Sequence, residues 1–112
     1  MIKATLFEDA NGTLWGYDIQ GHAGYADPGE DIICSAVSVL AVTVCNAIEK
    51  FTSFKPLQQE KGGHVHVEVS QILSGQEDCH EAVLLLETLR LGLEEIRDTY
   101  GSRYLTISTI RK

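Results

Sequence analysis

The segment from Ile32 to Phe51 constrains this chain most. It contains neither Gly nor Pro and is mostly apolar, and Val37, Val39, Val42, Thr43 and Val44 give it the composition of a strand. Length decides against a strand: about 20 unbroken residues is far beyond the usual strand, so the segment is expected to be a helix. Asp31 is placed to cap its N-terminus, and Pro56 stops it from running on.

The other elements are assigned around it. Residues 2–7 (IKATLF) and 13–20 (TLWGYDIQ) have strand composition and flank Asn11-Gly12, a hairpin signal. Simple alternation puts Trp15, Tyr17 and Ile19 on one face of the second strand. Residues 64–72 (HVHVEVSQI) alternate, with Val65, Val67 and Val69 opposite His64, His66 and Glu68, as in a half-buried strand. Ser74-Gly75-Gln76-Glu77 matches a capping box that would open a second helix reaching Tyr100. Within that helix Ala82, Leu86, Leu89, Leu93, Ile96 and Tyr100 form one stripe, while Leu84, Leu85 and Leu91 lie off it. Gly101 ends the helix, and residues 104–110 (YLTISTI) form a last strand.

The expected order is therefore ββαβαβ in a single domain spanning 1–112. Two strands precede the first helix, so a simple alternating parallel sheet does not fit. The fold class expected is α+β: two layers, a mostly antiparallel sheet with two long helices on one face. The surplus leucines of the second helix suggest burial by a second copy in a symmetric homodimer.

Nine Lys and Arg against 16 Asp and Glu give a formal charge of −7, which argues against direct nucleic-acid binding. No stretch reads as the ~18–20-residue apolar span of a membrane helix, and the N-terminal residues lack a signal-peptide core. Three cysteines with no close pair fit a reducing compartment, so a cytoplasmic protein without a membrane partner is expected. The familiar zinc spacings are absent and no cofactor is implied. His64, His66 and Glu68 share a strand face that has the ligand types for a divalent metal, but a solvated strand face is the better reading.

Chemistry concentrates in residues 21–38, GHAGYADPGEDIICSAVS. With Asp31 as N-cap, Cys34 occupies the third helical position, among unpaired amides at the positive end of the helix dipole. Both effects favour thiolate, the nucleophilic form. His22 ends the second strand in a loop that Gly21, Gly24 and Gly29 allow to fold back, bringing imidazole and thiol within reach of each other. Asp31, Asp27 and Ser38 are the candidates for a third group that orients the imidazole, and Ser38 lies one turn beyond Cys34 on the same helical face. Oxyanion donors would be backbone amides at the helix start, that of Cys34 included. Cys45 reads as core. Cys79 and His80 point apart on the second helix and make no dyad.

This segment resembles the signature of the ribosomal-processing cysteine protease family, Prp: Gly-His-Ala, a Gly-containing loop, then Gly-x-Asp-Ile-Val-Cys-Ala-Ala-Val-Ser. Gly21, His22, Ala23, Gly29, Asp31, Ile32, Cys34, Ala36, Val37 and Ser38 match, whereas Ile33 and Ser35 depart mildly. The resemblance implies a homodimeric protease of two helices on a small sheet, with His22 as general base, Cys34 as nucleophile and Asp31 in support. It implies as substrate the N-terminal extension of a ribosomal protein precursor, large-subunit ribosomal protein twenty-seven. It also implies a Gly-rich loop that moves when substrate binds, with Gly21, Gly24 and Gly29 as hinges.

Two other readings compete with proteolysis. One is a non-catalytic binding module for ribosome assembly, in which His22 and Cys34 merely pack. The other is a thiol-redox sensor, which needs a resolving thiol near Cys34 that the sequence does not supply at close spacing.

Overall fold

The computed structural model describes residues 1–26, 31–75 and 78–112. Five strands and three helices follow in the order β1 (Ile2–Glu8), β2 (Leu14–Gln20), α1 (Ile32–Phe51), β3 (Leu57–Lys61), β4 (His64–Glu68), α2 (Gln71–Ser74), α3 (His80–Tyr100) and β5 (Leu105–Arg111). The sheet order is β3-β4-β2-β1-β5, and every pairing is antiparallel except β1 with β5. The α+β class, the mostly antiparallel sheet and the two long helices are as the sequence implies.

Alternation along the strands builds the two faces. Ile2, Ala4 and Leu6 of β1, Tyr17 and Ile19 of β2 and Val65 and Val67 of β4 are buried beneath the helices. From α1 come Ile33, Val37, Ala41, Val44, Cys45 and Ile48, and from α3 come Ala82, Leu86, Leu89 and Leu93, all buried. Each such large side chain contributes roughly 1.5–3 kcal/mol by leaving water. The Tyr17 hydroxyl donates to the Ala41 carbonyl at 2.6 Å, a buried polar tie between β2 and α1.

Four details depart from the sequence reading. First, Trp15 does not lie with Tyr17 and Ile19. The β1–β2 register slips between Phe7 and Glu8, a bulge that turns Trp15 over to pack on Phe7 at 5.6 Å between ring centroids. Second, β3 is an additional strand; its residues LQQEK are all exposed, so it had no apolar alternation to announce it. Third, Ser74 opens no long helix. It closes the single turn α2, Gly75 takes a left-handed conformation, and α3 begins at His80, whose N–H donates to Asp78 Oδ1 at 2.9 Å. Glu77 of the expected capping box lies outside the described residues. Fourth, α1 is long and apolar enough to cross a membrane by length and composition, with a mean hydropathy of 2.0 over its best window. Here one of its faces lies on the sheet.

Candidate active site

The N-terminus of α1 is held by Asp31, one of the few buried charged side chains. Its Oδ1 accepts from the Ile33 amide at 3.1 Å and the Cys34 amide at 3.0 Å, an N-cap that fixes the first turn. Its Oδ2 diverges and accepts from the Tyr25 amide at 3.1 Å. The carboxylate thus ties the loop after β2 to the helix. The Tyr25 ring meets Tyr104 and Tyr100 edge-on at 5.3 and 5.9 Å and anchors the same loop to the end of α3 and the residue before β5. The Cys34 amide, followed by those of Tyr25 and Ile33 and by the Cys34 thiol, holds the Asp31 carboxyl below its ordinary 3.8 despite desolvation.

The sign of this shift fixes its effect on stability. A carboxyl held below its unfolded value stabilises the fold above about pH 4, and the contribution is lost as pH falls through the folded value. Acid unfolding followed by circular dichroism should therefore lose stability steeply below about pH 4. Asp31→Asn should be less stable at pH 7 and flatter in that acid range.

Cys34 sits at the third position of α1, half-buried, and its Sγ accepts from the Ala23 amide at 3.2 Å. Contrary to the expectation of a thiolate, the thiol is held above its ordinary 9.0. Desolvation is the largest cause. Asp31 adds to it by accepting from the thiol and by its charge, while the Ala23 amide pulls the other way. The helix-start amides that would favour a sulfur anion are already engaged, since those of Ile33 and Cys34 bond Asp31 Oδ1. The Cys34 amide is therefore committed to the cap, and the Ala23 amide is the backbone donor that touches the sulfur.

His22 follows Gly21 at the end of β2, and its exposed ring lies over the β3–β4 turn. A Cβ placed on Gly63 would come within 3.1 Å of its Cε1, so the ring uses space that only glycine leaves there. His22, Cys34 and Ser38 line one cavity of about 250 Å³, together with Gly21, Glu60, Gly63 and an apolar floor that includes Ile19, Val37 and Val65. The structure thus brings the candidate base, the candidate nucleophile and Ser38 together, with no hydrogen bond between His22 and Cys34 among the described residues. Of the loop glycines, Gly21 has φ +97° and packs against Met1, and Gly24 has φ +71° with open space around it. Gly29 and Asp27 lie outside the described residues. Glu60 is the lining residue that sequence reasoning missed; it stands 26 positions after Cys34 and only the pairing of β3 with β4 brings it here.

The remaining candidates serve structure. Cys45 is buried, with its thiol on Gln58 Oε1 at 3.5 Å. On the helix-free face, His64 Nε2 and His66 Nδ1 each lie 2.7 Å from Asp18 Oδ2, and His66 Nε2 lies 2.8 Å from Glu68 Oε2. Those carboxylates raise His66 above its ordinary 6.5 against desolvation. Among the described residues no group of three or more His, Cys, Asp or Glu side chains is arranged to hold a metal ion.

Comparison with known proteins agrees with the fold. The family described as Cysteine protease Prp matches residues 1–105. The ribosomal processing cysteine protease Prp of Bacillus subtilis is 30% identical over 102 residues, covering 89% of this chain and 90% of that protein. Its namesake in Staphylococcus aureus is 29% identical over 103 residues, covering 90% and 92%. A crystal structure of the S. aureus protease with a covalently linked product peptide matches with a TM-score of 0.87 at 26% identity, over 98% of this chain and 100% of that one. A second, with a substrate peptide, matches with a TM-score of 0.82 at 25% identity over the same shares.

Proposed function

The chain belongs to the cysteine protease Prp family, and from that premise we propose that it removes the N-terminal extension of large-subunit ribosomal protein twenty-seven in the cytoplasm, with Cys34 as nucleophile and His22 as its base. The observation that carries this reading is the shared cavity: thiol and imidazole border the same 250 Å³ space, and a backbone amide is already aimed at the sulfur. The relatives named above are ribosomal processing proteases, and one of them is held with a covalently linked product peptide.

The chemistry follows from the resting protonation. Burial and Asp31 favour the protonated thiol, and the proton leaves as the peptide carbonyl is attacked. The imidazole takes that proton, and sulfur bonds to the carbonyl carbon. The Ala23 amide then turns from the sulfur to the oxyanion that forms beside it. Collapse breaks the C–N bond, the imidazolium returns its proton to the leaving amine, and water hydrolyses the thioester with the imidazole again as base. A closing loop, pivoting about the Gly21–Gly24 segment, brings the ring from Gly63 to the sulfur.

The test is mass spectrometry of the precursor incubated with the purified chain. A fragment short by the extension supports proteolysis. Binding with the precursor mass unchanged would leave the non-catalytic module for ribosome assembly in its place.

The same reading includes a homodimer. Val39 of α1 is 66% exposed, and Leu84 and Leu91, seven residues apart on α3, are 57% and 56% exposed. Ile32, Val39, Leu40, Gly92 and Ile96 border a groove of about 820 Å³ between the two helices. Light scattering should give twice the 12.3 kDa chain mass, and Leu91→Asp should shift it toward the monomer. A wild-type monomer at micromolar concentration would exclude the dimer.

A further inference from the structure

A nucleophile and its base ordinarily need a third group to hold the imidazole, and the cavity shows which residue is free to serve. Asp31 is committed: Oδ1 caps α1 and Oδ2 holds the Tyr25 amide. Ser38 reaches the cavity, but a hydroxyl cannot balance the charge of an imidazolium. Glu60 is the one carboxylate among the described residues lining the cavity. It is exposed, and no hydrogen bond or ion pair among the described residues engages it. Its direction follows from the sheet. Glu60 pairs with Val65 of β4, so both project to one side, the side on which Val65 is buried and the cavity opens. Lys61, paired with His64, belongs to the opposite side. The turn three residues on, at Gly63, touches the His22 ring. One hairpin thus supplies both the surface under the ring and an unengaged carboxylate lining the same cavity.

We infer that Glu60 is the positioning residue for His22, its carboxylate accepting from the imidazole nitrogen turned away from Cys34 and balancing the imidazolium formed during attack. This rests on the reading of His22 as the base. The charged or titratable groups around the site are Cys34 and, behind it, Asp31 at the start of α1, the Met1 amino group, whose charge reaches Cys34, and Glu60 from β3; His64 and His66 face the other side of the sheet with Asp18. Glu60 acts through the ring alone.

The experiment measures kcat, KM and their pH profiles for cleavage of a precursor-derived peptide by the wild type, Glu60→Gln, Glu60→Asp, His22→Ala and Cys34→Ala. For Glu60→Gln, kcat should fall roughly ten- to a hundredfold with KM little changed, less than the loss of the base itself. Glu60→Asp should recover part of kcat. Because Glu60 is exposed on an edge strand, thermal melting should show these variants as stable as the wild type. If His22→Ala and Cys34→Ala are inactive while Glu60→Gln keeps the wild-type kcat, the role of Glu60 is overturned and the dyad stands. If Glu60→Gln changes KM alone, its carboxylate contacts the peptide and the positioning role is likewise overturned. If His22→Ala still cleaves, the dyad itself falls, and the role of Glu60 with it.

Discussion

Cys34→Ala should abolish cleavage of the precursor, by at least about a thousandfold in kcat, and leave the chain folded. No other thiol can take its place: Cys45 is buried in the core, and Cys79 lies ahead of α3, outside the cavity. The fold survives because the sulfur carries little of it. Its one hydrogen bond from the main chain comes from the Ala23 amide, and losing such a bond costs about 1 kcal/mol. The cap of α1 depends on the Asp31 side chain and the Cys34 backbone, both of which the substitution keeps. Cys34→Ser should be nearly as inactive, since a hydroxyl is a far weaker acid than a thiol and the site has only one imidazole to activate it. Mass spectrometry alongside far-ultraviolet circular dichroism checks both halves; persistent cleavage by Cys34→Ala would sink the proteolytic reading.

Gly21→Ala should produce the largest loss of stability among substitutions near the site. Gly21 holds φ +97°, which an L side chain rarely adopts, and an added Cβ would lie 2.4 Å from the carbonyl oxygen of Met1. That neighbour is backbone, and it cannot give way freely, because the next residue's amide bonds the Tyr104 carbonyl at 2.8 Å. Strain of this kind costs roughly 2–4 kcal/mol, or about 10–20 °C in Tm for a chain of this size. Activity should fall further than stability alone explains, since His22 is the next residue and its ring would lose its approach to the Cys34 sulfur. Gly24→Ala is the internal comparison. Its φ of +71° makes it strained too, but nothing lies within 4 Å of the added methyl, so its Tm should drop by less than half as much. Equal Tm values for the two variants would refute the role given to the Met1 contact.

The parts of the molecule legible from sequence are those where one physical signal dominates. The length of the 32–51 segment overrode its β-branched composition, and the polar step at Asp31 marked its start. The motif from Gly21 to Ser38 named residues that do share a cavity, because strand end and following helix start are neighbours in such a fold. Where two effects oppose each other, sequence alone misled. The helix dipole favours a Cys34 thiolate, whereas burial and the Asp31 charge, both tertiary, push the thiol up. The bulge that turned Trp15 over depends on the partner strand, as does β3, a polar strand ordered by its pairing with β4. Glu60 carries no motif at all. Its proximity to His22 comes from hairpin register, and one chain read alone has no marker for it.

The parallel pairing of β1 with β5 sets when the site can exist. Ile2 is in register with Leu105 and Glu8 with Arg111, so contacts that brace the backbone behind Gly21 span nearly the whole chain. Closing so long a loop has a high entropic cost and makes this among the slowest native contacts to form. Synthesis runs from the other end, so β1 and β2 leave the ribosome long before β5 can join them. A half-made chain beside its own ribosome therefore lacks the brace behind its imidazole loop until β5 has emerged and paired with β1.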